Sequence, residues 1–443
     1  METQATLTDN PTYNVLNIPT SDQPRLVIVG GGFGGIKLAK SLRGRGYQVV
    51  LLDRHNYHTF QPLLYQVATA GLEPDSIAGP LRKMMHSTDG FFFRLATVNH
   101  IDLDNRKLET SLGPLRYDYL VLATGSRTNY FGQEEKFGKA FPLKQIPQAL
   151  NLRSHILQNF EKAVITDNLA ERQQLMNYVI VGGGPTGVEV AGALGELKNH
   201  VLPSDYPDLD FRQMNIYLVE GTGRLLNGMS EKSGEKALRY LKRFSVNTLL
   251  HKMVKSFDGQ QVILSDGTEI PCQTVVWAAG VMGNVADGLP AEVLDRGRIR
   301  VDEFNRIVGQ EHVFALGDVA KMETKDFPNG HPMLAPVAIQ QGEHLAKNLR
   351  RLRQEKELLP FSYKDKGSMA TIGRNRAVVD LSHLRFSGAL GWYIWMFVHL
   401  FSIIGFRNKL LVFWNWVWNY FTYDRGNRLI IRPYDPGKDN TDK

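Results

Sequence analysis

The sequence predicts an α/β protein with two Rossmann-like dinucleotide-binding domains and a C-terminal, membrane-associating helical segment. Three observations carry that prediction. A short apolar strand runs into glycines at G-x-G-x-x-G spacing twice, at Gly30, Gly32 and Gly35 and again at Gly182, Gly184 and Gly187. After each copy comes an apolar run ending on an acid, Asp53 or Glu220, and then a strand closing on small residues, LVLATGS or VVWAAGV. Near the C-terminal end, five of the six tryptophans fall between Trp392 and Trp418.

The first copy, LVIVGGGFGG from Leu26 to Gly35, reads as a buried strand opening directly into a helix. In such a loop one glycine permits the tight turn and the next lets backbone approach a pyrophosphate. The last lets helix and strand pack closely, and the free N–H groups of the helix N-terminus face the anion. Gly34 lies in the same loop, and Asp53, with Arg54 beside it, ends the next strand where a carboxylate can accept from ribose hydroxyls. The aromatic stretch RHNYHTFQPLLYQVATAGLEP is too irregular for one helix and suits packing over a cofactor. His55 and His58 within it lack a companion cluster of ligands, so no metal site is expected. The strand Tyr119 to Leu122 then runs into Ala123, Thr124 and Gly125, returning the chain to the same crevice.

The second copy starts at Tyr178, and an insertion of roughly Lys198 to Gln213 separates its glycines from Glu220. Its closing strand reaches Gly280. Repetition of the whole plan implies two dinucleotides per chain. A carboxylate at the ribose repels a 2′-phosphate, so Glu220 favours NADH over NADPH. Two nicotinamides would have no electron acceptor between them, whereas a flavin in one site and a nicotinamide in the other make a redox pair.

A further strand, VFALGDVA, runs into Gly317 and Asp318. The helical pattern that follows begins near Pro336, carries Gln340 and Gln341 in its first turns and collects basic residues at its end. If its N-terminus points at a flavin, it stabilises the anionic reduced ring. SMATIGRNRAVVDL reads as two short strands turning near Gly373 to Asn375.

Net charge is +7, and the tail from Arg350 holds 16 Lys and Arg against 8 Asp and Glu. Such a tail suits nucleic acid or an anionic membrane, and its apolar content favours the membrane. The 21 residues between Arg385 and Arg407 carry no formal charge, but the dense apolar part is only Trp392 to Ile404. Thirteen helical residues reach about 20 Å, short of a ~30 Å hydrocarbon core. Two helices in one leaflet are the expectation, with Asn415 and Asn419 as a polar stripe on the second. A transmembrane helix within 386–406 and a buried interface between two copies remain the alternatives. The lone Cys272 excludes a disulfide, a CxxC pair and a cysteine-rich metal site, and suits a reducing compartment.

With these motifs in place, residues 24–432 resemble the type II NADH:quinone oxidoreductases. The resemblance implies a glutathione-reductase-like fold, non-covalent FAD, and a monotopic place on the cytoplasmic face of the cell membrane without proton pumping. It implies FAD at Gly30 to Asp53, with Asp318 near the ribityl chain, and NADH at Gly182 to Glu220. The family pattern A-Q-x-A-x-Q falls on Ala335 to Gln340, with Pro336 in place of the first glutamine. Ala338 and Gln340 then stand as quinone contacts, and Glu189 matches a family acid placed near nicotinamide and flavin. The implied divisions are a disordered lead-in at 1–23, an FAD domain at 24–145 and 290–350, an NADH domain at 146–289 and a membrane region at 351–443. Expected partners are NADH, a membrane quinone, the bilayer and, as an open case, a second copy; nucleic acid is not among them. An NADH-dependent reductase of a small electron-carrier protein and a non-catalytic nucleotide-sensing membrane scaffold are the competing functions.

Overall fold

The computed structural model describes residues 16–85, 90–422 and 426–439. Along the chain, β1 (Arg25–Val29), α1 (Phe33–Ser41) and β2 (Gln48–Asp53) form the first βαβ start, and α2 (Leu64–Ala68) follows in the aromatic stretch. The second start is β3 (Asn177–Val181), α3 (Pro185–Glu196) and β4 (Asn215–Glu220). Then come α4 (Ala335–Leu352), the hairpin β5 (Ser368–Thr371) and β6 (Ala377–Asp380), and two consecutive helices, α5 (Gly388–Ser402) and α6 (Phe406–Thr422).

The chain divides into two compact units. One takes in the residues up to His58, Pro80–Arg127 and Met282–Lys364; the other takes in Thr59–Gly79, Thr128–Val281 and the chain from Asp365. The sequence placed these divisions at 145/146, 289/290 and 350/351, and it kept 59–79 with the first unit.

In the first unit a five-stranded sheet runs Val313–Ala315, Tyr119–Leu122, β1, β2, Phe91–Leu95, with every pair parallel. Both faces are covered, which explains why β1 and β2 are apolar at consecutive positions. Leu26 and Ile28 join the core beneath α1 and α4, while Val27 and Val29 join the core on the other face. The two helices cross at glycines: a Cβ on Gly342 would lie 2.5 Å from the Gly34 carbonyl oxygen.

That second core also corrects the lead-in. Residues 1–15 lie outside the described residues, but 16–19 are docked through two buried side chains, while 20–23 are exposed. Leu16 and Ile18 are buried within it, the Arg94 guanidinium donates to the Leu16 and Asn17 carbonyls, and Gln48 donates to the Pro19 carbonyl at 2.7 Å. Two apolar side chains in a polar stretch were enough to dock it.

In the second unit another five-stranded parallel sheet runs Phe141–Pro142, Thr274–Trp277, β3, β4, Val246–Leu250. The insertion folds into a π-helical turn at Leu197–Val201, a short helix at Leu202–Asp205 and a 3-10 turn at Phe211–Gln213. It leaves the sheet register undisturbed, with Val181 opposite Val219. The hairpin β5–β6 is antiparallel and turns at Gly373 to Asn375, as the sequence suggests.

α5 has 15 residues and α6 has 17, about 22 and 26 Å of helix. No helix among the described residues is long and apolar enough to cross a membrane, and the expected alternative of a span within 386–406 stops at Ser402. The polar stripe of α6 faces protein. Asn408 donates to the Asp75 and Ala78 carbonyls, Asn415 to the Glu73 carboxylate and Asn419 to the Gly71 carbonyl, while the Trp416 indole donates to Gln66. This ladder binds the 66–78 segment to the C-terminal helices. The opposite faces, with Tyr393, Phe397 and Phe401 on α5 and Leu410, Trp414, Trp418 and Phe421 on α6, are exposed.

The docking of the lead-in is open to test. Ile18→Ala should lower unfolding stability by roughly 2–5 kcal/mol in denaturant titrations, the cost of emptying a buried aliphatic site. A disordered lead-in would give no change.

Candidate active site

The first glycine loop has one open position between two crowded ones. Gly30, at φ +111°, would place a Cβ 2.2 Å from the Ala123 carbonyl oxygen, and Gly35 would place one 2.0 Å from the Gly30 carbonyl oxygen. At Gly32, the N-cap of α1, nothing lies within 4 Å, and no side chain caps the helix. Uncapped N–H groups opening on free space are what a bound pyrophosphate needs. Asp53 is held at the rim, accepting from the Gly31 N–H at 2.6 Å and the His55 N–H at 2.7 Å. Arg54 beside it is exposed. Buried His58, edge-on to the Phe33 ring and within 3.0 Å of the Gly31 carbonyl, is pushed down to about pKa 4 by burial and is neutral at pH 7. Gly34 does something else: a Cβ there would meet Leu316 and, at 2.9 Å, the Ala338 carbonyl oxygen, so it serves the crossing with α4.

The closing turns of this unit converge. The Thr124 hydroxyl donates to the Asn284 carbonyl at 2.6 Å, the Asn284 N–H donates to the Gly125 carbonyl at 2.9 Å, and the Ser126 hydroxyl donates to Asp318 at 2.6 Å. Ala338 packs against Gly317, whose N–H donates to buried Gln341 at 2.7 Å. Gln341 is thus an anchor for the Gly317–Asp318 turn. Gln340 is engaged as well: its amide donates to the Lys364 carbonyl and accepts from the Lys364 N–H, both at 3.0 Å.

The second loop repeats the first. Gly182, at φ +109°, backs onto the Ala278 carbonyl, a Cβ on Gly187 would lie 1.9 Å from the Gly182 carbonyl oxygen, and Gly184 faces open space. Glu220 accepts from the Gly183 N–H at 2.6 Å and from Thr222, through both its N–H and its hydroxyl, at 2.8 Å. The lengthened insertion does not move the acid because β3 and β4 are paired side by side. Gly280 lies against Phe131 and accepts from the Asn129 N–H at 3.1 Å. Both loops therefore fit a dinucleotide: crowded glycines, an open one, an uncapped helix start and a fixed carboxylate.

Below its glycine loop, α3 presents a second face to the hairpin turn. Glu189 accepts from the Thr371 N–H at 3.4 Å, and Glu196, seven residues and two turns later, accepts from the Arg374 N–H at 2.5 Å. Between them a Cβ on Gly192 would meet the Ile372 backbone at 3.1 Å. Glu189 is buried, and burial pushes its carboxyl up to about pKa 8, with the Thr371 N–H opposing. A cavity of about 100 Å³ opens here, several times the ~10–15 Å³ one water needs. Ala193, Glu196 and Thr371 form one wall, Tyr65 and Thr69 another, and Trp392, Trp395, Trp416 and Tyr420 the aromatic side. Sequence reasoning missed Glu196, Arg374 and the α2 side chains. The i, i+7 spacing of two glutamates on an otherwise apolar helix was the available signal.

The family described as pyridine nucleotide-disulphide oxidoreductase matches residues 24–342, and the one described as NDH2 C-terminal domain matches 366–423. The chain is 34% identical over 434 residues to the type II NADH:quinone oxidoreductase Ndh of Mycobacterium tuberculosis, covering 93% of this chain and 92% of that one. It is 30% identical over 430 residues to the internal alternative NAD(P)H-ubiquinone oxidoreductase A1, mitochondrial, of Arabidopsis thaliana, covering 89% and 84%. The structure of NDH2 from Plasmodium falciparum in complex with NADH shares the fold, with a TM-score of 0.84 at 20% identity over 93% of this chain and 100% of that one.

Glu189 leaves a signature in stability. In the unfolded chain it ionises near 4.5, and in the folded protein only near 8. Between those values the folded state alone keeps the proton, so its contribution to stability falls with rising pH, by roughly 1.4 kcal/mol per unit. Glu189→Gln cannot ionise and should remove this slope. Denaturant titrations from about pH 5 to 8 should show the variant gaining on the parent across the range; parallel pH profiles would mean that Glu189 is already charged.

Proposed function

The chain belongs to the type II NADH:quinone oxidoreductase family, and from that premise we propose how its residues divide the work. The protein oxidises NADH and reduces a quinone, with FAD as its cofactor. The first loop, with Gly30, Gly32 and Gly35, would hold the FAD pyrophosphate on the N-terminus of α1. Asp53 would accept from the ribose, and Ser126 and Asp318, hydrogen-bonded to each other, would meet the ribityl chain. The second loop, with Gly182, Gly184 and Gly187, holds NADH, and Glu220 accepts from its ribose while repelling a 2′-phosphate. Bound there, FAD would supply the two-electron carrier between NADH and the quinone.

The rest falls to this chain's own groups. Quinone reduction needs a proton beyond the hydride, and the Glu189 carboxyl keeps one in reserve at neutral pH. Its hydrogen-bond partner, Thr371, forms part of the cavity wall, so we read the aromatic cavity as the quinone site. Gln340 and Gln341, with amides committed to Lys364 and Gly317, are read as holding α4 in place; Ala338 packs beside them. The doubled glycine loop, with Asp53 locked by the Gly31 N–H and Glu220 by the Gly183 N–H, is the observation that carries this reading.

The outward faces of α5 and α6 are read as lying in one leaflet. A surface helix ordinarily turns its polar stripe to solvent, and here the polar stripe is turned inward and the aromatic stripe outward. Arg407 and Lys409 flank the stripe and suit anionic headgroups, as on a cytoplasmic leaflet. A second copy on this face is the competing occupant.

Filling the cavity tests the site. Ala193→Leu should lower kcat/KM for a short-tailed quinone about tenfold, and much more than it lowers NADH oxidation with ferricyanide. Equal losses with both acceptors would place the quinone elsewhere. The double variant Phe401→Asp, Trp418→Asp tests the membrane face: its partition onto anionic liposomes should fall about tenfold or more in co-sedimentation. Undiminished liposome binding, with loss of a dimer in solution, would assign the face to a second copy.

A further inference from the structure

Most polar groups around the aromatic cavity already have partners. The Trp416 indole N–H donates to Gln66, whose own amide donates to the Tyr65 hydroxyl at 2.8 Å. The Thr69 hydroxyl donates to the Tyr65 carbonyl, and the Asn419 amide to the Gly71 carbonyl. Trp395 differs. Its side chain lines the cavity and is 2% exposed, yet its indole N–H meets no acceptor among the described residues. Buried donors are almost always paired, so an unpaired N–H on a ring that lines a cavity is a natural partner for an acceptor bound there.

The ring is held firmly. It stacks on His399 at 4.3 Å, lies 5.5 Å from the Trp416 ring, and the His399 Nδ1 is tied to the Trp395 carbonyl at 2.8 Å. An indole N–H can only donate, so its complement is an acceptor and neither a cation nor a second donor. We propose that Trp395 binds and orients the quinone by donating its indole N–H to one ring carbonyl oxygen. A quinone ring is flat, carries two carbonyl acceptors and otherwise presents apolar surface, matching a cavity walled by tryptophan and tyrosine. The proposal rests on reading this cavity as the quinone site. It goes beyond that reading by naming the group that fixes the headgroup's orientation.

The test uses the full-length, FAD-loaded protein, NADH and a short-tailed ubiquinone labelled with ¹³C at its carbonyls. Trp395→Phe keeps an aromatic ring and removes the donor. The quinone KM should rise about three- to tenfold, the loss of one neutral hydrogen bond, with kcat changing less. Infrared difference spectra supply a readout that packing alone would not move. In the parent, one carbonyl band of the bound quinone should lie below its position in hydrocarbon solvent, and in the variant it should return to that position. A band unshifted in the parent, or shifted equally in both proteins, overturns the proposal; the parent spectrum decides alone if the variant fails to hold FAD. Weakened quinone reduction in Ala193→Leu beside an unaltered KM in Trp395→Phe would keep the cavity and remove Trp395. Loss of both effects would remove the cavity reading as well.

Discussion

A glycine Cα pressed against the carbonyl oxygen five residues before it, once at Gly35 and once at Gly187, sets the distance between strand and helix on which both nucleotide loops depend. Any Cβ there would stand about 2 Å from that oxygen, so the helix could not start where it does. From this one steric condition the rest of each loop follows. The helix N-terminus opens on the free space over Gly32 or Gly184, and the N–H of the preceding Gly31 or Gly183 is left to fix the carboxylate at the end of the next strand. The acid is thereby held in place in advance of the ribose proposed to bind it, which lowers the cost of ordering it on binding.

The second loop carries a further consequence because α3 has two working ends. Its first turn is the one proposed to receive the nucleotide, and its later turns hold the β5–β6 hairpin through Glu189, Gly192 and Glu196. One rigid helix therefore ties the loop proposed for NADH to the wall of the cavity proposed for quinone. The cost of this economy is a buried carboxyl with a single weak donor. Burial holds its pKa up near 8, which is what suits it to the proton-donating role proposed for it.

The C-terminal helices obey the same accounting of polar groups. α6 spends its asparagines and one indole on the 66–78 segment, whose carbonyls at Gly71, Asp75 and Ala78 would otherwise need water. With the polar side turned inward, the aromatic side has no protein to cover it among the described residues. A helix pair ordered in this inverted sense suits a surrounding medium less polar than water.

The sequence by itself determined the two glycine loops, their acids, the parallel βαβ starts and the unusual tail. These are matters of spacing within a few tens of residues, where periodicity and turn chemistry act locally. It also placed Glu220 at the second loop despite the insertion, since strand pairing is indifferent to what loops out between strands. Only the tertiary structure decided that Leu16 and Ile18 dock, that 59–79 joins the second unit, and that Asn415 and Asn419 face inward. It alone showed that Gln340 and Gln341 spend their amides on backbone and that Trp395 is left without an acceptor. Each of these depends on partners between about 20 and 350 residues away in the chain. A polar side chain's role is set by which donors and acceptors packing brings within about 3 Å, and no local pattern encodes that.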